Sequence, residues 1–145
     1  MTIPVELPDL GECIDEYGPV AFLATVDELS RSHLVAVRAR LEAGTLVLRA
    51  GKRTRSYAAA RPAVALLWPA PPGCAYSLIV DGEAHVRGGA DEPGGPITVL
   101  PIAAILHAMP SEETSERLLP GQAHPAAEPP PDPGSGRSPV VAPNP

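Results

Sequence analysis

Arg49 to Trp68, RAGKRTRSYAAARPAVALLW, compresses the architecture into twenty residues. An apolar strand ends at its start, a basic turn follows, and the Ala-rich run predicts a short helix. Pro62 closes that helix, and Ala63 to Trp68 (AVALLW) predicts a second, buried strand. Arg49, Lys52, Arg53, Arg55 and Arg61 place five positive charges here without one acid. A basic turn that feeds a helix N-terminus suits an anion, most economically a phosphate.

The charge around this stretch is segregated. The 145-residue chain has net charge -6, yet Arg31 to Arg61 holds eight of its eleven cations and a single acid, Glu42. An acidic protein with one basic pole is no general nucleic-acid binder, which needs a broad basic face. It fits a localised anionic ligand instead. The two cysteines, Cys13 and Cys74, build no disulfide framework and suit a reducing, cytoplasmic compartment. Neither a secretory leader nor a membrane-length apolar run is visible.

Upstream, Pro4 to Tyr17 predicts a helix, with Leu7, Leu10, Cys13, Ile14 and Tyr17 at helical spacing and Gly18-Pro19 as its stop. Val20 to Val26 (VAFLATV) predicts a strand buried on both faces. His33 to Leu41 predicts another, with Leu34, Ala36, Arg38 and Arg40 on its second face. A four-residue loop, Glu42 to Thr45, turns it into Leu46 to Ala50. With Leu41 opposite Leu46, Arg38 falls opposite Arg49, a like-charge conflict that a bound anion would resolve. Lys52, Arg53, Thr54 and Ser56 extend the same pole, and Thr54 or Ser56 can cap the helix.

Downstream, Tyr76 to Val86 alternates, and Gly82 on the inward face predicts a bulge or a close backbone approach. Gly88 to Gly95 predicts a loop, Ile97 to Leu100 a last strand, and Ile102 to Met109 a helical turn. Nine prolines fall in the last 27 residues, so 119–145 predicts a disordered tail. The pattern of short strands and turns is that of an all-β barrel or sandwich with short helices.

Other chemistries find little support. His33, His85, His107 and His124 lack ligand spacing, which leaves no metal site. Asp81 and Glu83 share a strand face that solvent accounts for. Ser30, Ser56 and Ser77 lack a nucleophile elbow. Trp68 ends a buried strand and reads first as packing.

AFLATVDELSRSHLVAVRARLEAGTLVLRAGKRTRSYAAARPAVALLW, followed by YSLIVDGEAHV, resembles the pyridoxamine 5'-phosphate oxidase-like flavin-binding split-barrel family over roughly residues 15 to 109. The resemblance implies a six-stranded antiparallel Greek-key split barrel over 19–110, after an N-terminal helical segment, 1–18. It implies a homodimer with ligand sites at the subunit interface and FMN, or a deazaflavin coenzyme, as cofactor. Lys52, Arg53, Thr54 and Ser56, beside Arg49, match the phosphate positions. Val35, Ala36, Val37 and Arg38 match the strand along which the flavin ring lies. Trp68 and His107 are candidates to close the site from the second subunit.

The chain departs from the family in two places. It lacks the C-terminal Arg/His substrate motif, which disfavours pyridoxamine phosphate as substrate, and KRTRSYAAARP is one residue shorter than the commoner form. The expectation is a small FMN-dependent oxidoreductase with a small-molecule substrate or electron donor. The alternative is a non-catalytic or cofactor-free split-barrel scaffold.

Overall fold

The computed structural model describes residues 1–88 and 94–110. The predicted tail, 119–145, lies outside the described residues. Among the described residues, seven strands and two helices follow in order: β1 (Thr2–Val5), a 3-10 turn (Leu7–Asp9), α1 (Leu10–Tyr17), β2 (Val20–Val26) and β3 (Ser32–Glu42). Then come β4 (Thr45–Gly51), α2 (Lys52–Ala60), β5 (Ala63–Trp68), β6 (Tyr76–Val86) and β7 (Gly94–Ala108).

The sheet runs β1-β7-β4-β3-β2-β5-β6, and β6 pairs back onto β7. Six antiparallel strands therefore close into a barrel, as the resemblance implies, and closure removes exposed strand edges. The long β7 makes this possible. One edge of it pairs with β4 over Gly94 to Val99 and with β1 over Ala104 to His107, while the other pairs with β6.

The β3–β4 hairpin keeps the expected register, Leu41 opposite Leu46. Its loop is shorter than expected, because Glu42 and Thr45 are themselves paired. Only Ala43 and Gly44 turn, with φ 49° and 81°. Two successive positive φ angles give the turn whose twist matches the flanking strands, and a glycine takes the second at no steric cost. The ladder ends at Ala39↔Leu48. Arg38 and Arg49 are therefore not a cross-strand pair: Arg38 lies across from Val20 and Arg49 across from Pro96.

The N-terminal helix is shorter than its periodicity suggests. Thr2–Val5 pairs with β7, and Pro8 sits in the 3-10 turn before α1. Leu10 and Ile14 of α1 are buried in the core. The predicted last strand and helical turn are one strand, β7. Gly82 pairs with Pro101 while Asp81 pairs with Ala103, which leaves Ile102 as the extra residue of a bulge. Pro101 lacks an N–H, and a bulge is where a strand tolerates that. Gly82 is required there: a β-carbon would stand 2.5 Å from Val99 Cγ1 and 2.8 Å from the Leu100 carbonyl oxygen.

β2 is not buried on both faces. Ala21, Leu23 and Thr25 point into the barrel, whereas Val20 and Phe22 are exposed. Phe22 pairs with Ala36 on one side and Leu67 on the other, and Ala24 pairs with the exposed Leu34. The outer wall of β2 and β3 is thus an uncovered apolar face.

Candidate functional site

The helix α2 begins directly after Gly51, in extended conformation and with no side-chain cap. Thr54 and Ser56 therefore lie inside the helix and do not cap it. Lys52, Arg53, Ser56 and Tyr57 fall at i, i+1, i+4 and i+5, which a 3.6-residue period collects on one face. They line an open hollow of about 440 Å³ with no acidic side chain in its wall. Lys52 and Arg53 have no ion-pair partner among the described residues. Their amide groups also belong to the first turn, whose N–H groups have no intrahelical acceptor.

The opposite face of α2 does different work. Thr54, Arg55 and Ala58 are buried at i, i+1 and i+4. Arg55 is wholly enclosed: its Nη2 donates to the Arg87 carbonyl, and its guanidinium lies over Gly95. Of the five cations in the basic stretch, Arg55 is therefore a structural staple between α2, the end of β6 and β7. Thr54, at 8% exposure, lies on this buried face and does not line the hollow.

The other predicted positions divide by strand phase. On β3, Ala36 and Arg38 are exposed on the outer wall, while Val37 is buried and Val35 half-buried inside. Only Ala36 and Arg38 can present side chains to a ligand on that wall. Arg49 is exposed on β4, two residues before Gly51. Trp68 is 0% exposed, and its indole Nε1–H donates to the Gly18 carbonyl at 3.1 Å. It is core packing, tied to the turn before β2, and has no surface to offer a ligand. His107 is exposed on β7, thirteen positions beyond Gly94, which pairs with Gly51 at the mouth of α2. It is absent from the lining of the hollow at the mouth of α2.

Sequence reasoning missed Tyr57 and what stands behind it. Asp27 is 1% exposed and organises the β2–β3 turn. Its Oδ1 accepts the backbone N–H groups of Leu29 and Arg31 at 2.8 and 2.9 Å. Its Oδ2 meets His33 Nε2 and Arg31 Nε–H, each at 2.9 Å. The His33 hydrogen bond, then the Arg31 and Leu29 donors, hold the Asp27 carboxyl well below the usual carboxylate range against the cost of its burial. The His33 ring packs on Tyr57, centroids 4.7 Å apart. Helical phase could have revealed Tyr57. The Asp27–His33 contact carries only the weak signal of a polar turn between two strands.

Among the described residues no three His, Cys, Asp or Glu side chains gather to hold a metal ion, and no helix is long and apolar enough to cross a membrane.

No protein-family model matches the chain. Uncharacterized proteins of Mycobacterium bovis and Mycobacterium tuberculosis are each 37% identical to it over 130 residues, covering 78% of this chain and 88% of the relative. Among solved structures, a Listeria innocua protein assigned as a pyridoxamine 5'-phosphate oxidase has a TM-score of 0.55 at 20% identity, covering 70% of this chain and 98% of that one. An FAD-binding protein from Mesorhizobium loti gives 0.54 at 13% identity, over 73% of this chain and 96% of that one. HutZ, the haem storage protein of Vibrio cholerae, gives 0.56 at 13% identity, over 70% and 93%. At such identities the likeness to solved structures is one of fold.

Proposed function

We propose that this chain, whose split-barrel fold is that of pyridoxamine 5'-phosphate oxidase-like proteins, belongs with them, binds a phosphate-bearing flavin-type cofactor and works as a small oxidoreductase. FMN is the first choice and a deazaflavin coenzyme the second. The observation that carries this reading is the hollow at the mouth of α2, where Lys52, Arg53 and Ser56 converge with Tyr57 and no acid opposes them.

These residues fit the group. Two cations, a hydroxyl and first-turn amides are the donors a phosphate needs, at about 1.5–3 kcal/mol for each charge-assisted bond. About three such bonds supply most of a micromolar affinity. On the outer wall of β3, Ala36 leaves room for a planar ring, and Arg38 adds a cation at its edge. A bound flavin would supply the hydride and electron chemistry, and the chain's part is to hold and orient it.

The uncovered apolar wall of β2 and β3 supports a homodimer, since a second copy would bury Val20, Phe22 and Leu34 and wall in the β3 face. Across such an interface the partner copy could supply a residue equivalent to His107.

A second reading keeps the anion site without turnover, as a binding protein. It is favoured by the lining itself, which presents donors and a phenol but no carboxylate or imidazole at its surface. The absorbance spectrum of purified protein tests the first reading. Flavin bands, or their appearance after adding FMN with micromolar affinity, are expected. A colourless protein that fails to bind added FMN and the deazaflavin coenzyme would remove it. Cofactor binding with no reduction by nicotinamide donors would select the second reading.

A further inference from the structure

Behind the wall of the hollow, three side chains make a continuous contact. The Asp27 carboxylate meets His33 Nε2 at 2.9 Å, and the imidazole packs against the Tyr57 ring, which lines the hollow beside Lys52, Arg53 and Ser56. Asp27 is fixed by three further hydrogen bonds, from the N–H groups of Leu29 and Arg31 and from Arg31 Nε. With Nε2 committed to that carboxylate, the proton that His33 gains or loses resides on Nδ1.

The surroundings of the imidazole are defined. The β2–β3 turn brings Asp27, with Arg31 sharing its carboxylate. The helix α2 brings Tyr57, and with it Lys52 and Arg53 on the same helical face. β2 brings the neutral Thr25, across from His33 in register, whose buried Oγ1 has no hydrogen-bond partner among the described residues. A carboxylate holds one nitrogen and the Tyr57 ring packs against the imidazole, so His33 and the hollow share one neighbour.

Resting on the hollow's reading as an anion site, we propose that His33 is a proton-linked positioning residue: a phosphate- or sulfate-type oxyanion at Lys52, Arg53 and Ser56 binds together with a proton on His33. His33 does not touch the anion. It acts through Tyr57, which it holds in place, and through its charge, one aromatic ring away. Across one aromatic ring, in a medium between protein and water, one added charge changes oxyanion affinity about five-fold. Binding and protonation must then strengthen one another equally.

Sulfate is the probe, because it stays doubly charged between about pH 5 and pH 8, and FMN is the second probe. Calorimetric titration of the wild-type protein should show sulfate affinity rising about five-fold from about pH 8 to about pH 5, with fractional proton uptake measured in buffers of different ionisation enthalpy. His33→Gln keeps an N–H donor for Asp27 and loses the charge. It should bind sulfate with neither the His33-dependent slope nor the uptake. In the unmodified protein, the imidazole resonance of His33 should titrate at higher pH when sulfate is present, a readout that needs no variant. An unchanged pH slope in His33→Gln, or a His33 titration that sulfate does not move, overturns the proposal. If sulfate couples to His33 and FMN does not bind, the proposal stands and the flavin reading falls. If FMN binds and His33→Gln retains the full slope, the flavin reading stands and the proposal falls. Binding of neither probe removes both.

Discussion

Arg55 lies directly over Gly95: a β-carbon at that glycine would stand 2.9 Å from Arg55 Cζ and 3.0 Å from Nη2. The contact explains why a cation from a basic, solvent-seeking stretch is completely enclosed. The absence of a side chain at Gly95 makes the slot, and the Arg87 carbonyl accepts from the guanidinium within it. Gly95→Ala should force the guanidinium off its partners and destabilise the protein by about 1–3 kcal/mol, read as a lower urea midpoint at unchanged slope. A midpoint equal to wild type would show that Arg55 relaxes freely.

The exposed cations of the same stretch should behave oppositely. Lys52→Ala and Arg53→Ala remove side chains with no ion-pair partner among the described residues, so their unfolding free energies should stay within about 0.5 kcal/mol of wild type. Together the two substitutions should weaken FMN binding by about 10-fold or more, measured by flavin fluorescence titration. Unchanged affinity would remove the phosphate assignment and leave the barrel untouched.

That division shows how far the sequence reaches. The hairpin register was legible because Ala43-Gly44 and alternating apolar residues specify it locally. Gly82 was legible because a glycine at an inward position of an alternating strand marks a point where a side chain would not fit. The mouth of α2 was legible as charge. Its internal division was not, since Arg53 and Arg55 differ only by helical phase and by what Gly95 leaves open across the barrel. Thr2–Val5 escaped notice because its pairing with β7 is formed by residues a hundred positions away. Pro101 hid the length of β7, because proline ends a strand unless a partner strand supplies a bulge. The outer wall of β2 read as doubly buried because composition cannot distinguish a buried apolar face from an exposed one.

The glycine at the bulge is less forgiving than Gly95. A methyl group at position 82 would meet Val99 at 2.5 Å and the Leu100 backbone at 2.8 Å, and backbone does not rotate away. Gly82→Ala should cost at least as much as Gly95→Ala, about 3 kcal/mol, through shift of β6 against β7. Amide hydrogen exchange should show faster exchange on both strands near the bulge. Wild-type protection there would contradict the close approach.

Acid should separate Asp27 from the surface carboxylates. Its folded-state pKa lies below the ordinary value, chiefly through His33 and the turn amides, so the folded protein binds fewer protons than the unfolded chain. The resulting stability is fully present above about pH 4 and is lost as pH falls toward the folded value. Asp27→Asn lacks this contribution. Its deficit in unfolding free energy against wild type should therefore be largest near neutrality and shrink progressively in acid, in urea titrations at stepped pH. A deficit independent of pH would mean that the turn is held by its shape alone.

The apolar wall of β2 and β3 gives the last expectation. Phe22 and Leu34 are 37% and 69% exposed, and they flank Ala24 and Ala36 on neighbouring strands. Charge introduced there costs little in an isolated barrel, since the side chains already face water, but it cannot be buried between two copies without a partner. Leu34→Glu and Phe22→Glu should therefore convert a dimer to a monomer in light scattering at micromolar concentration while leaving the far-UV circular dichroism of the barrel intact. On the proposed dimer, in which a second copy walls in the β3 face, they should also weaken FMN binding. If both variants remain dimeric, the two copies meet elsewhere. If wild type is itself monomeric and still binds FMN at full affinity, the site is complete within one chain, and the exposed wall owes its apolar character to something other than self-association.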